Sequence, residues 1–452
     1  MTDAASNQMI TGKPGRTLFF FALPMIIGNL FQQFYNMVDT IIVGRFVGVD
    51  ALAAVGASYS FTNVFIMIAI GGGIGASVLT SQYLGAGDYG KMRTSAYTAL
   101  INFLVVSVGL ALFGFLFNPM IMRALNTPEN ILDDAVLYLQ IYFAGLPFLF
   151  MYNVLSSTFN ALGKSKIPLF LLIFSSILNV FLDLWMVLQW KLGVAGVAIA
   201  TVMAQGLSAV ISFLILLGVL RSYPVPEGEK IKLYDTDMLV RGTKIAIPSI
   251  VQQSIVSIGM LLVQSVVNGF GSGVLAGYSA GTRVESICIV PMIALGNAVS
   301  TFTAQNLGAR QTERVRQGLR TGFGLVIAFG AVICLVLNLY HEPIIAAFID
   351  RETGAEAFSA GNAYVTFIGW FFVMIGFKAV TDGVLRGSGD VGMYMAANLV
   401  NLGIRVLVAN LCAPVFGVQA VWYAIPLGWT VNFLISYSWY HTGRWSRKRI
   451  IE

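Results

Sequence analysis

Two aspartates lie inside long apolar runs that carry no base to neutralise them: Asp39 near the end of the first run and Asp183 near the end of the fifth. A charge set deep in apolar surroundings is costly, and it persists where it is paired, hydrated or functional. Asp39 stands six residues before Arg45, and Asp183 six before Gln189. At the rise of an α-helix both carboxyls sit ~9 Å inside the ends of their runs. Thr201 comes eight residues after Gly193 in the sixth run, or ~12 Å in, so all three share one depth. Asn179 precedes Asp183 by four residues, and Tyr35 precedes Asp39 by four, which puts each on the helical face of its acid. Two carboxylates without a counter-ion can hold a proton, or a small hard cation such as Na+ ringed by amide and hydroxyl oxygens. Asp39, Asp183, Asn179 and Thr201, with Tyr35 beside them, are therefore the expected cation-coupling site, for H+ or Na+. The plainer alternative is that each aspartate only hydrogen-bonds a helix end.

The other buried charges have a different character. Arg283, Glu285, Lys378, Asp382 and Arg405 all fall in the second half of the chain. Lys378 and Asp382 are spaced to pair on one helix, Arg283 and Glu285 need partners elsewhere, and Arg405 has none in sequence. A structural charge network is the expectation there. Polar and basic groups that could line a substrate cavity are Asn36, Asn153, Gln252, Arg283 and Lys378. The 32 Phe, 17 Met and 17 Tyr supply adaptable apolar and aromatic surface suited to hydrophobic cations. Little here suggests catalysis: His341 and His441 sit at the ends of runs, no nucleotide loop or zinc motif is present, and Cys288, Cys334 and Cys412 have no metal-ligand spacing. No cofactor is expected beyond the coupling ion.

These residues must be positioned by helices in a bilayer. Hydrophobic residues make up 57% of the 452, charged residues 11%, and mean hydropathy is +0.78, whereas a soluble domain carries about 25% charged residues. Twelve runs are long enough to span: 17–43, 52–82, 94–117, 131–157, 167–189, 193–220, 241–269, 275–305, 317–340, 358–384, 391–412 and 417–440. The first is too long for a signal-peptide core and reads as a spanning helix. The loops after odd-numbered runs hold only Arg45, Arg123, Lys191 and Arg351 as basic residues. Apart from Arg283, Lys378 and Arg405, deep within runs, every other Lys and Arg lies in the N-terminal tail, between an even-numbered run and the first residues of the next, or at the C-terminus. That bias predicts a multi-pass inner-membrane protein with both termini in the cytoplasm, and it gives the net charge of +6 a topological cause, with no nucleic-acid partner implied.

The chain also repeats. Ser81-Gln-Tyr-Leu-Gly-Ala aligns with Ala304-Gln-Asn-Leu-Gly-Ala, Ala22-Leu-Pro24 with Ala246-Ile-Pro248, and Gly193-Val-Ala-Gly with Gly417-Val-Gln-Ala. The offset covers six runs, so both copies have the same orientation, and parallel repeats imply two lobes with the substrate path between them. The expected fold is all-α and integral to the membrane: twelve transmembrane helices in two parallel-repeat six-helix bundles. The lobes are 1–220 and 241–452, joined by a cytoplasmic linker at 221–240. Gly71-Gly-Gly-Ile-Gly75 is no complete phosphate loop and predicts close helix contact. Pro24 and Pro248 remove a backbone donor at matching places and permit bends.

Val38-Asp-Thr-Ile-Ile-Val-Gly-Arg45, the two Gln-x-Leu-Gly-Ala segments and Leu385-Arg-Gly387, in this order and spacing, resemble the multidrug and toxic compound extrusion (MATE) family of cation-coupled antiporters over roughly residues 15–440. The resemblance implies an antiporter that exports amphipathic, cationic drugs or toxic compounds by alternating access. It also implies a helix-1 bend at Pro24. The Asp of run 1, the Asn-x-x-x-Asp of run 5 and the Thr of run 6 resemble the DinF-like branch. NorM-type members carry an acid in helix 7, where this chain has Gln252, Gln253 and Gln264, which argues against a second ion site. The expected partners are a small amphipathic substrate and membrane lipid, with the protein a monomer. Two other readings are weighed. A flippase for lipid-linked sugars would need basic residues for a pyrophosphate, which only the second half offers; a membrane enzyme would need reactive groups that are missing.

Overall fold

The computed structural model describes residues 8–228, 230–352, 354–448 and 450–451. Residues 1–7 and Arg449, which entered the lobe and charge readings, lie outside the described residues. Those described are helical with short connections. After a single turn at Gln8–Thr11 come α1 (Pro14–Ile42), α2 (Val49–Gly85), α3 (Tyr89–Ala124), α4 (Glu129–Ala161), α5 (Lys166–Leu184) and α6 (Gly193–Arg221). The second half adds α7 (Thr236–Asn268), α8 (Ser272–Cys288), α9 (Val290–Gly308), α10 (Thr312–Ala346), α11 (Ala355–Gly369), α12 (Phe372–Ser388), α13 (Val391–Phe416) and α14 (Gln419–His441).

Among the described residues these helices make the twelve expected spans. The eighth span is α8 with α9, in register across Ile289, whose φ and ψ of −75° and −20° are still helical. The tenth is α11 with α12, bent by 52° at Trp370 and Phe371. Its halves are 15 and 17 residues long, each shorter than the ~20 needed to cross alone. The twelfth, α14, has 23 residues, enough to cross a ~30 Å hydrocarbon core at 1.5 Å per residue. One boundary reading is corrected: Arg386, assigned to a loop, lies in the last turn of α12, where its guanidinium donates to Asn297 Oδ1 at 2.7 Å and Ser300 Oγ at 3.3 Å.

Two compact units emerge. One runs from Ile27 to Ile250; the other runs from Val251 onward and includes the segment ending at Ile26. Both divisions fall inside a helix, in α1 two residues after Pro24 and in α7 two residues after Pro248. α1 itself is helical throughout, Pro24 included.

In the first unit, the glycine run of α2 meets three helices. A Cβ on Gly71 would come within 2.6 Å of Ile250 Cα, and one on Gly75 within 2.5 Å of the Gly242 carbonyl, so this i,i+4 face lies against the backbone of α7. Gly72 faces the Phe103 ring of α3 and Gly73 the Ser157 hydroxyl of α4. Close approach of this kind is how helices gain van der Waals contact where lipid is as apolar as they are. α7 is started by Asp235, whose Oδ1 accepts from Asp237 N–H at 3.1 Å and Met238 N–H at 3.2 Å while its own N–H donates to Thr98 Oγ1 at 3.0 Å. That satisfies amides which a helix start leaves without intrahelical partners.

In the second unit, Gly383 and Gly387 of α12 press on the carbonyls of Gly296 and Ser300 in α9. The repeated loop after α9 holds the N-terminal turn: Asn306 and Arg314 donate to the Met9 carbonyl at 3.0 and 3.1 Å, and Arg314 to that of Gly12 at 2.7 Å. The first copy of the loop, in the first unit, uses Arg93 to donate to the Tyr223 carbonyl at the start of the linker.

Candidate cation site

Asp39, Asp183, Asn179, Thr201 and Tyr35 all belong to the first unit, and the fold brings them to one place. α1 delivers Tyr35 and Asp39 one turn apart, α5 delivers Asn179 and Asp183 one turn apart, and α6 delivers Thr201. The Asp39 and Asp183 carboxyls lie close enough for their charges to act on each other. Asp183 and Asn179 are buried, at 0% and 1% exposure, while Asp39, Tyr35 and Thr201 are half-buried.

Asn179 is the hub. Its surroundings favour one amide orientation, in which Nδ2 donates to Asp183 Oδ2 at 3.2 Å and toward the Tyr35 hydroxyl, while Oδ1 accepts from the Thr201 N–H at 3.1 Å. With the amide reversed, Oδ1 instead accepts from Tyr35 and Nδ2 faces Thr201 Oγ1 at 3.4 Å. The Thr201 hydroxyl donates to the Val197 carbonyl at 3.0 Å, so its oxygen lone pairs stay available. Asp39 Oδ1 and Asp183 Oδ1 are buried with no hydrogen-bond partner among the described residues. Each orphaned carboxylate oxygen carries a desolvation cost of ~1–3 kcal/mol or more. A proton shared between the acids, or a small cation touching both, would remove it.

Two features escaped sequence reasoning. Directly beyond the acids, α1 and α5 both change to π-helix, at Val43–Val47 and Trp185–Gln189. π-turns are rare and concentrate at functional sites. The first is closed by the Gly48 N–H donating to the Val43 carbonyl at 3.1 Å, and Gly48 then turns the chain at φ 129°, a conformation suited to glycine. Val43, Ala51, Val187, Val194 and Val197 pack into a buried cluster, with Val47, Leu52, Val55 and Tyr138 against it. An apolar cluster thus packs directly beyond the acids, at the end of the site away from Pro24. Tyr138 of α4 is the second missed feature, near enough to feel both acid charges. It carries no sequence signal beyond being a tyrosine one turn before Tyr142.

The residues assigned to a substrate cavity fall apart into the two units. In the first, Asn36 is exposed and accepts from Gln32 Nε2 at 3.0 Å, while Asn153 donates to its own helix at the Leu149 carbonyl, 2.9 Å away. In the second, Gln252 is 6% exposed with Oε1 unpartnered among the described residues, and Arg283 is exposed.

Lys378 pairs with Asp382 at 3.0 Å, as the i,i+4 spacing predicts. Asp382 also accepts from Ser436 at 2.7 Å and Asn398 at 3.2 Å, which ties α12, α13 and α14 together. Glu285 accepts from the Tyr364 hydroxyl and feels the Arg405 charge without a close ion pair. Lys378 and Asp382 thus join a hydrogen-bonded network across three helices, whereas Arg283 is exposed and Arg405 Nε has no hydrogen-bond partner among the described residues; Asp39 and Asp183 have no basic partner there either.

The MatE family model matches residues 24–185 and again 248–411, once on each repeat. The chain is 29% identical to "Probable multidrug resistance protein YoeA" of Bacillus subtilis (strain 168), over 99% of both proteins. It is 23% identical to an "FAD transporter" of Shewanella oneidensis, over 96% of this chain and 95% of that protein. The fold superimposes on a MOP superfamily transporter from Pyrococcus furiosus Vc1 with a TM-score of 0.90, at 21% identity and 99% coverage of each chain. Twelve helices in two repeats, matched twice by one family model, place the chain in the MatE family of multidrug and toxic compound extrusion proteins, as a membrane transporter rather than an enzyme.

Proposed function

We propose that the protein is an inner-membrane antiporter, active as a monomer with both termini in the cytoplasm, that exports amphipathic, cationic compounds in exchange for H+ or Na+ bound at Asp39 and Asp183. The observation that carries this reading is the pair of adjacent acids whose Oδ1 atoms have no donor, in a pocket otherwise built of amide and hydroxyl oxygens. Family membership and the relative named as a multidrug resistance protein support the choice of cargo.

The chemistry follows from donor and acceptor counts. An ionised carboxylate only accepts, whereas a protonated one also donates. One proton therefore lets Asp39 and Asp183 hydrogen-bond each other and removes one negative charge from the pocket. Na+ would instead be held by both carboxylates with Asn179 and Thr201. Either event acts differently on two conformations and so shifts their balance. Pro24, inside α1 and short of Asp39 by four turns of helix, is where α1 can bend between them. The lobes 1–220 and 241–452, joined by 221–240, then act as the two halves of an alternating-access transporter.

The test is efflux of a lipophilic cationic dye from proteoliposomes under a pH gradient and, separately, a Na+ gradient. Wild-type protein is expected to respond to one of them, and Asp39→Asn and Asp183→Asn each to lose gradient-driven efflux by at least tenfold. Wild-type efflux in either variant would sink the assignment.

A further inference from the structure

The second unit carries an open groove on its surface that the transport reading does not use. It lies between α13 and α14; Met393, Val431, Leu434 and Ile435 line its body, and Ser438, Trp439 and Thr442 its end beside the C-terminal turn. From Val431 to Thr442 it follows α14 for ~16 Å, about the hydrocarbon depth of one leaflet. Leu434, at 54% exposure, leaves the groove openly apolar.

That end is built differently. The chain turns at Gly443, with φ 70°, into a short 3-10 helix at Arg444–Arg447. Trp445 pins that turn: it is 2% exposed, stacks on Tyr440 with centroids 5.2 Å apart and donates Nε1 to the Tyr440 carbonyl at 2.9 Å. The pinned turn sets the Arg444 guanidinium over the Trp439 ring, 5.0 Å from its centroid. Trp439 is itself fixed, donating to Asp390 Oδ2 at 2.7 Å, and Lys448 takes the other Asp390 oxygen at 2.7 Å. That pairing matters for charge. Asp390, the acid of this corner, is matched by Lys448, whereas Arg444 and Arg447 are exposed and make no ion pair among the described residues.

A mostly apolar channel one leaflet long, ending at an ordered indole with the Arg444 guanidinium over it and the exposed Arg447 in the same short helix, complements one kind of molecule. We propose that this groove binds a single anionic phospholipid, with an acyl chain along α14 and its phosphate on Arg444 and Arg447. Arginine forks suit phosphate oxygens, and tryptophan sits naturally at headgroup level. This end of the groove lies in the cytoplasmic leaflet on the orientation proposed above; lipid retention in detergent does not depend on it.

The experiment is native mass spectrometry of the full-length protein in mild detergent, titrated with phosphatidylglycerol or phosphatidylcholine. Wild-type protein is expected to retain one phosphatidylglycerol in preference to phosphatidylcholine, undisturbed by millimolar inorganic phosphate. Arg444→Ala with Arg447→Ala is expected to weaken that retention on the order of 30-fold. The charge-matched control Lys164→Ala with Lys166→Ala should leave it unchanged. Ile435→Trp, which fills the groove and alters no charge, should also release the lipid. Equal retention of the two lipids, retention by the arginine variant matching the control, retention by Ile435→Trp matching wild type, or displacement by inorganic phosphate would each overturn the proposal.

Discussion

Asp382 shows how a buried acid behaves when it is structural. It receives Lys378, Asn398 and Ser436 within 3.2 Å, so every lone pair that matters is answered. Removing one partner of such a pair leaves an uncompensated buried group, at a cost of about 3–5 kcal/mol. Asp382→Asn leaves the Lys378 charge without its partner and should lower the unfolding temperature in detergent by several degrees. The double variant Lys378→Met with Asp382→Leu should recover most of that loss, because neither charge then remains; thermal unfolding of the three proteins checks it. Asp39 and Asp183 present the opposite case. Each keeps an oxygen without a donor, an arrangement that costs stability and makes sense where a mobile proton or cation is the missing partner.

At the scale of elements, backbone contact and capping carry the arrangement. Gly75 faces the carbonyl of Gly242, whereas Gly72 faces the end of the Phe103 side chain. A carbonyl cannot rotate away and a ring edge can. Gly75→Ala should therefore destabilise by about 1–3 kcal/mol, the usual range for overpacking, and Gly72→Ala by clearly less, as read from unfolding temperatures. The start of α7 offers a pH test. The hydrogen bond from Lys232, at 3.0 Å, holds the Asp235 carboxyl below the usual carboxylate range, and the Met238 amide adds to it. A depressed folded-state value means that the cap contributes above the unfolded value of about 3.9 and is lost as pH falls through the folded one. Asp235→Ala should cost about 1 kcal/mol at neutral pH, and its difference from wild type should shrink as pH drops below about 4. A gap that stays constant with pH would count against the ionised cap.

At the scale of the molecule, the fold and the cargo are separate matters. Relatives that match nearly the whole chain carry names as different as probable multidrug resistance protein and FAD transporter, so a match of this length does not by itself name a cargo. The frame is oriented by charge. With basic residues gathered after even-numbered spans, both ends are expected on the cytoplasmic side. Green fluorescent protein fused to either end should fluoresce, and alkaline phosphatase fused there should be inactive. The reverse result at one end would require an odd number of crossings, against the helices described above.

What the sequence determined by itself is what local physics makes visible. Long apolar runs cannot hide in water, basic loops record topology, and an offset of one repeat shows through in prolines and glycines. An acid inside such a run announces itself by its cost, which is why Asp39 and Asp183 could be paired by depth alone, and why Asn179 and Tyr35 followed from i−4 spacing. Tertiary structure decided the rest, because it depends on which faces meet. Nothing local marks the π-turns at Val43–Val47 and Trp185–Gln189, or gathers Val43, Ala51, Val187, Val194 and Val197 from four elements into a cluster beyond the acids. Nor does spacing reveal that Tyr138 reaches the pair, that Ser436 answers Asp382, or that the tenth span breaks at Trp370 and Phe371. Hydropathy and period fix where a helix is; only packing against its neighbours fixes where each side chain ends up.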